Sequence, residues 1–323
     1  MTLNPNALSE TQMKTFRHSR IEIGLDYLEE IIEEAAPGER MGRLYLLTGQ
    51  SFVGKSTCVA EVRKSHPTIL DGAGFVKSRP IMHVQLGAKP THKGIMSDVV
   101  ANLDLPPSSS DPGVLAEAVV TNGLEQGVRC LIIDEGQHFS ERRTQTSIDH
   151  TVNFLKSVLN VRCFDVVLVG TPELIQLIRR ADGTNPNRTG VQLENRMEDH
   201  VELRTFDPSD STDVAEFAEL LERIDERISP DVLNGLRHVA PEMIASSRGC
   251  FGSVLPLVRH AARHAKRDGR QNIVISDLSN AHTILRDGIR DPFAESKLER
   301  SKPSRRPKPL EQDPYTAWTR SKS

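Results

Sequence analysis

Residues Gly49-Gln50-Ser51-Phe52-Val53-Gly54-Lys55-Ser56 fit the spacing G-x-x-x-x-G-K-[ST] in full. The chemistry such spacing serves is the holding of a polyphosphate. A glycine-flanked loop turns its backbone N–H groups and the start of a helix toward phosphate oxygens, and the lysine reaches the β and γ phosphates. Gly49 to Gly54 would form the cradle, Lys55 the cationic contact and Thr57 its continuation into the helix. Ser56 would offer a hydroxyl oxygen to Mg²⁺. The apolar run RLYLLT before the loop and the helical TCVAEVRK after it supply the strand and helix the motif requires. ATP with Mg²⁺ is the ligand this predicts.

Some eighty positions on, Arg129-Cys-Leu-Ile-Ile-Asp134-Glu135 is an apolar run ending in two acids. Asp134 at a strand tip can complete the Mg²⁺ shell, and Glu135 can draw a proton from a water aligned on the γ-phosphate. Alone, such a pair would read as solvated acids closing a strand. Downstream of a phosphate loop, it reads as the acidic half of a nucleotide site.

Two further residues extend the site. In Asp165-Val-Val-Leu-Val-Gly-Thr171-Pro, a polar Thr171 ends a buried run, where a sensor of the γ-phosphate belongs in a parallel sheet. The plainer alternative is the start of a turn before Pro172. In Gln192-Leu-Glu-Asn195-Arg196-Met, Arg196 stands just before the last strand. An arginine there can leave its own domain and stabilise transition-state charge in a neighbour's site. Arg188 competes for that role, and a surface ion pair is the plainer alternative.

The elements that must position these residues follow from hydrophobic periodicity. Apolar runs at Leu44–Thr48, Ile81–Leu86, Cys130–Ile133, Val166–Val169 and Val201–Leu203 are bounded by Gly, Pro or charge and separated by segments long enough for helices. This alternation predicts an α/β fold, a parallel five-stranded sheet with helices on both faces. Beyond Phe206 only helical patterns remain, at DPSDSTDVAEFAELLERI, Ser253–Lys266 and Asp277–Arg286. The expected organisation is an N-terminal extension over 1–16, a nucleotide-binding domain over 17–207, a small helical lid domain over 208–290, and a basic tail over 291–323. The tail's Lys-, Arg-, Pro- and Ser-rich composition has little to bury and is that of a disordered segment.

Composition narrows the class further. The formal charge of −3 over 323 residues excludes a globally basic protein, so any nucleic-acid contact must come from a local patch. The four cysteines, Cys58, Cys130, Cys163 and Cys250, have no metal-ligand spacing and read as buried thiols. His83, His138, His200, His260 and His264 form no ligand set either. No apolar run approaches the ~20 residues of a membrane span, and the expectation is a cytoplasmic protein with no membrane partner.

Together the residues carry a more specific likeness. Arg40-Met41 before the first strand, Val62-Arg63-Lys64-Ser65-His66-Pro67, LIIDEGQHF, Val169-Gly-Thr171, QLENRM and SSRGCFGSVLPLVRHAARHA keep one order between about Arg20 and Asp291. In this the chain resembles TniB and, more loosely, TnsC, the AAA+ ATPase regulators of DNA transposition. The resemblance implies an AAA+ P-loop ATPase that assembles with copies of itself, as a ring or helical filament, on double-stranded target DNA. It implies recruitment or activation of a DDE-type transposase of the TniA/TnsB kind, often with a TniQ-type target selector.

In that family, loops after the second strand line a DNA channel, which points to Lys89, Thr91 and Lys93 in GAKPTHKG as phosphate contacts. Repetition along an assembly would supply the affinity an acidic monomer lacks. In the tail, Lys297, Arg300, Lys302, Arg305, Arg306 and Lys308, followed by Tyr315 and Trp318, could add phosphate contacts or an aromatic anchor. One departure stands out: where related ATPases carry a lid arginine in a Gly-x-x-Arg context, Gly249-Cys-Phe-Gly252 puts a glycine, with Arg248 as a substitute from the preceding turn. Two alternative functions stay open on sequence alone, a nucleotide-gated DNA-binding scaffold with little hydrolysis, and a helicase-loader or secretion-type AAA+ ATPase.

Overall fold

The computed structural model describes residues 16–35, 40–87, 98–103, 112–138, 155–156, 158–159, 164–175, 193, 195–228, 235–286 and 288–294. Lys89, Thr91, Lys93, Arg188, Cys163 and the tail from 295 lie outside them. The chain divides into two compact units. One holds the described residues of Lys14–Phe206 together with Arg248–Gly252, and the other holds the described residues of Asp207–Ser247 and of 253–294.

In the first unit, helix α1 (Ser19–Glu34) precedes strand β1 (Leu44–Gly49), and helix α2 (Lys55–Ser65) follows the phosphate loop. A short antiparallel hairpin comes next, β2 (Ile69–Leu70) and β3 (Val76–Ser78), then strand β4 (Ile81–Gln85). Helix α3 (Pro112–Glu125), β5 (Cys130–Asp134), β6 (Asp165–Gly170) and β7 (Met197–Leu203) complete it among the described residues. The five longer strands form one sheet in the order β4-β5-β6-β1-β7, parallel throughout.

Alternating side chains of each central strand feed two cores, because strand neighbours point to opposite faces. Leu44, Leu46, Leu131, Ile133, Val166 and Leu168 pack on the face covered by Val119, Leu155 and Leu159. Tyr45, Leu47, Cys130, Ile132, Val167 and Val169 pack on the opposite face against Leu25, Leu28 and Ile32 of α1 and Cys58, Val59 and Val62 of α2. Every residue of β1, β5 and β6 is buried, as a strand covered on both faces requires. The thiols of Cys58 and Cys130 sit in this core, and burial pushes the Cys58 thiol up to about 12.

Two local differences from the sequence reading have simple causes. The last strand starts at Met197, four residues before the apolar run at Val201, because β7 is an edge strand and its outer face is polar. The β2–β3 hairpin escaped detection because its residues are largely exposed, including Ile69, Leu70 and Phe75 at its turn. It is held instead by Asp71, whose Oδ1 accepts the N–H groups of Ala73 and Phe75.

At the N-terminal edge of the sheet, the buried Asp165 carboxylate accepts two bonds from the Arg40 guanidinium, at 2.8 and 2.7 Å, and one from the Arg43 N–H at 2.8 Å. The carboxylate beside it raises the Arg40 pKa further above its ordinary value. This gives the Arg40-Met41 dipeptide a physical role: it locks the entry of β1 to the start of β6. Removing one partner of a buried, bidentate pair strands a charge, so Arg40→Ala is expected to cost about 3 kcal/mol in denaturant unfolding. Arg40→Lys, which keeps the charge and loses the planar fork, should fall between; equal stability of all three proteins would refute the role.

The second unit is helical among its described residues: α4 (Ser211–Ile228), α5 (Ala240–Ser247), α6 (Val254–Arg267) and α7 (Ile275–Leu285). In α6, Val254, Leu257, Val258, Ala261, Ala262 and Ala265 recur at helical spacing and are buried. The N-terminus of α7 is tied by Asp277, which accepts the Val274 N–H at 3.0 Å, both Arg270 guanidinium nitrogens at 2.5 and 2.7 Å, and shares a 2.7 Å bond with His264 Nδ1. His264, Asp268 and Asp277 lie close enough together to hold a metal. Arg270 already supplies that cluster's positive charge, binding Asp268 as well at 2.8 Å. No described helix is long and apolar enough to cross a membrane.

Candidate functional site

The C-terminal ends of β1, β6 and β5 bring the sequence-derived residues together. Thr48 of β1 pairs with Gly170 of β6, and Ile133 of β5 pairs with Leu168, so the phosphate loop, Thr171 and the acids Asp134 and Glu135 leave the sheet at one level. Strand β6, which leads to Thr171, lies between the loop strand β1 and the acidic strand β5. This is the crevice where parallel sheets bind ligands.

The loop is shaped by its glycines. Gly54 caps α2 at φ 120°, a conformation other residues rarely adopt, and a Cβ there would lie 2.2 Å from Ile21 Cδ1. From this cap α2 begins, with the Thr57 and Cys58 N–H groups on the Gly54 carbonyl at 2.9 and 3.0 Å, and a helix N-terminus is the kind of place that receives anions. Lys55 is the first residue of the helix, and its ammonium donates to the carbonyls of Gly49 at 2.7 Å and Gln50 at 3.0 Å. Burial lowers the Lys55 pKa, opposed by the charges of Asp134 and Glu135. The ammonium is thus held by weak neutral acceptors, which phosphate oxygens can replace with stronger charge-assisted bonds. Ser56 is exposed and Thr57 half-buried at the loop exit, Val53 is buried beneath the loop, and Phe52 at its tip is exposed with φ 67°.

Asp134 is buried, and its Oδ1 accepts the N–H of Glu135 at 2.8 Å. Glu135 is half-buried and holds a left-handed backbone, φ 60°. Strain at such a position, on the order of 1–3 kcal/mol, is characteristic of functional turns. Thr171 sits just past β6, its side chain hydrogen-bonded to Glu173, which holds that exposed carboxyl below the usual range. Hard oxygen donors from Ser56 and Asp134 beside a lysine and a helix N-terminus are the donor set that Mg²⁺ with a polyphosphate requires.

Arg196 is elsewhere. Its carbonyl accepts the Leu44 N–H at 2.9 Å, which fixes it beside the first residue of β1, whereas the loop begins at the last. A six-residue strand separates the two by roughly 17–20 Å. The guanidinium donates to the Leu159 carbonyl at 3.0 Å. It borders a cavity of about 690 Å³ lined by Met41, Gly42, Arg43, Lys156, Asn195 and Glu198. Arg196 and its own phosphate loop therefore stand at opposite ends of one sheet.

The position where a lid arginine was expected also has a physical account. The Gly252 N–H donates to the Phe52 carbonyl of the phosphate loop at 3.1 Å, and a Cβ on Gly252 would lie 2.8 Å from that oxygen. There is no room for any side chain. The segment is anchored by Phe251, whose ring packs on Phe16 and His18 at centroid distances of 5.8 and 5.6 Å, and by the Phe206 N–H donating to the Gly249 carbonyl at 2.9 Å. Arg248 is exposed with φ 53°.

Sequence reasoning passed over one neighbour of the acids. Gln137 Nε2 donates to Glu135 Oε2, and Gln137 Oε1 accepts the Thr171 N–H at 3.3 Å. The sequence shows a glutamine two places beyond the acid pair, but its contact with a residue 34 positions away depends on the pairing of β5 with β6.

Sheet, phosphate loop and helical unit define the AAA+ type of P-loop fold. Solved structures agree on the fold: Cdc6p from Pyrobaculum aerophilum matches with a TM-score of 0.56 at 11% identity, over 90% of this chain and 73% of its own. The ORC1 protein of Aeropyrum pernix, solved in complex with DNA, matches at 0.57 and 15% identity, over 86% and 68%. The ORC2 protein of the same organism, solved as ADPNP–ADP complexes, matches at 0.56 and 15% identity, over 86% and 71%. No curated protein matches the chain. The family model of the bacterial TniB protein matches residues 9–201, more than half of the chain. The chain belongs to the TniB family.

Proposed function

We propose that this TniB-family chain is an ATPase regulator of DNA transposition, which assembles on double-stranded target DNA when ATP is bound and there recruits or activates a transposase. The carrying observation is the separation of Arg196 from its own phosphate loop. A site that needs an arginine for transition-state charge, in a chain whose candidate arginine points away from it, is complete only between two protomers. ATP then serves as a clamp on self-assembly.

In this reading the loop from Gly49 to Thr57 binds the phosphates, with Lys55 exchanging its carbonyl partners for β and γ oxygens. Ser56 and Asp134 would hold Mg²⁺, whose charge would offset that of the phosphates. Glu135 takes the proton of the attacking water, Thr171 releases Glu173 to bond the γ-phosphate, and Arg196 of the next protomer meets the charge that develops. The DNA-facing residues are Lys89, Thr91 and Lys93. Support for a DNA partner comes from the family membership and from structural neighbours solved with DNA. The DDE-type transposase and TniQ-type selector rest on the family resemblance. The absence of room for a side chain at Gly252 favours, as a second reading, a scaffold that hydrolyses slowly until a partner stimulates it.

The test is electron microscopy of the full chain on duplex DNA with a non-hydrolysable ATP analogue. Rings or filaments are expected with nucleotide and not without it; isolated monomers under both conditions would overturn the proposal. In parallel, Lys89→Ala with Lys93→Ala should sharply weaken ATP-dependent DNA binding. It should also flatten the log–log salt dependence by about 1.8 per engaged protomer, as loss of two phosphate contacts requires. An unchanged slope would remove these residues from the DNA interface.

A further inference from the structure

Glu135 must act on a water from a fixed direction, yet its side chain has three rotatable bonds, and ordering such a chain costs conformational entropy. Gln137 supplies the restraint. Its Nε2 donates to the Glu135 carboxylate, and its Oε1 accepts the Thr171 N–H at 3.3 Å. The two partners settle which way the amide faces, since a carboxylate only accepts and a backbone N–H only donates. Space for the crossing amide exists because residue 170 is glycine. A Cβ there would lie 2.7 Å from Gln137 Oε1 and 3.2 Å from the Gln137 nitrogen. Gly170 shows no positive φ, so room rather than backbone freedom explains it. The backbone of the turn is fastened as well, with the Gly136 N–H on the Val169 carbonyl at 2.8 Å and the His138 N–H on the Glu135 carbonyl at 3.0 Å.

The chemistry of an amide suits this place. A lysine or arginine donor would hold the carboxylate too, but its charge would depress the basicity of Glu135. A neutral amide orients the base without setting a full positive charge beside it.

We propose that Gln137 is a positioning residue for ATP hydrolysis, tying the Glu135 carboxylate to the backbone of Thr171 so that the base and the γ-phosphate sensor move as one. This rests on the reading of Glu135 as base and Thr171 as sensor given above.

The experiment compares steady-state phosphate release and nucleotide binding for the full chain, with and without duplex DNA, in wild type, Gln137→Ala, Gln137→Glu and Glu135→Gln. Gln137→Ala should lower kcat about ten- to a hundredfold, the cost of a misaligned catalytic group, with nucleotide affinity changed less than about twofold. Gln137→Glu keeps the size of the side chain but replaces the amide donor with a carboxylate that can only accept and that repels Glu135. Its kcat should fall at least as far as that of Gln137→Ala while nucleotide affinity stays within about twofold of wild type. A merely structural role would not split turnover from affinity in this way, and the isosteric variant decides the matter even where the alanine variant folds poorly. Unchanged kcat in both variants, a rise in kcat with Gln137→Ala, or equal loss of binding and turnover would each overturn the proposal. If instead Glu135→Gln itself retains wild-type turnover, the failure belongs to the assignment of the base.

Discussion

Glu135→Gln is expected to cut phosphate release by at least about a hundredfold while leaving ATP bound, the scale of losing a positioned general base. The amide matches the carboxylate in size, can still meet Gln137 across the turn, and leaves Asp134 and the phosphate loop untouched. What it lacks is the capacity to accept the water's proton. If ATP clamps the assembly as proposed, assemblies of this variant on DNA should outlast those of the wild-type protein in ATP. Phosphate release, nucleotide binding and the lifetime of DNA complexes measure the three quantities separately. Turnover within a few-fold of wild type would mean that Glu135 is not the base.

Arg196→Ala should be as damaging for a different reason. An arginine supplied to a transferring phosphoryl group is worth about 10³–10⁵ in rate, and this one stands at the far end of the sheet from its own loop. Nucleotide binding by the isolated protomer should therefore survive while turnover in the assembly is lost. Mixing supplies the decisive reading. A protomer carrying Arg196→Ala retains Glu135, and a neighbour carrying Glu135→Gln retains Arg196, so an interface between them contains one complete site. Two inactive proteins should regain activity on mixing, approaching roughly a quarter of wild type if subunits assort at random around a head-to-tail assembly. A silent mixture would exclude action between protomers, and loss on Arg188→Ala instead would assign the role to that residue. Because Arg196 also bonds the Leu159 carbonyl, the variant's thermal unfolding must be measured alongside.

The places of the glycine-flanked loop and of the acidic pair in the fold were legible because each is a contiguous stretch whose neighbours predict its context. RLYLLT is apolar enough to be a strand, and Gly54-Lys55-Ser56 can only open the helix that follows. The order of strands was not legible. β6 enters between β1 and β5, and only that insertion places Thr171 between the loop and the acids. The first half of β7 was hidden because an edge strand need not be apolar on its open face, and the β2–β3 hairpin because a turn held by Asp71 buries almost nothing.

Arg40 illustrates a middle case. Its place before the first strand could be seen as part of a pattern, but its partner Asp165 lies 125 positions away and opens a different strand. Gln137 and Gly170 are likewise ordinary residues until β5 and β6 pair. Gly252 looked like the loss of an arginine and is a contact with the Phe52 carbonyl, too close for any side chain.

By itself, then, the sequence determined which short stretches of this protein could carry chemistry: a candidate polyphosphate cradle, a candidate magnesium ligand pair, a candidate base, and an alternation of strands and helices that must close into a parallel sheet. These are properties of short stretches, set by backbone geometry and residue type. The tertiary structure decided what the stretches do to one another. It set Arg196 a full strand length from its own nucleotide loop, and it brought Gln137 between Glu135 and Thr171. Such relations depend on strand order and register, which arise from packing two hydrophobic faces at once, and no local pattern encodes them.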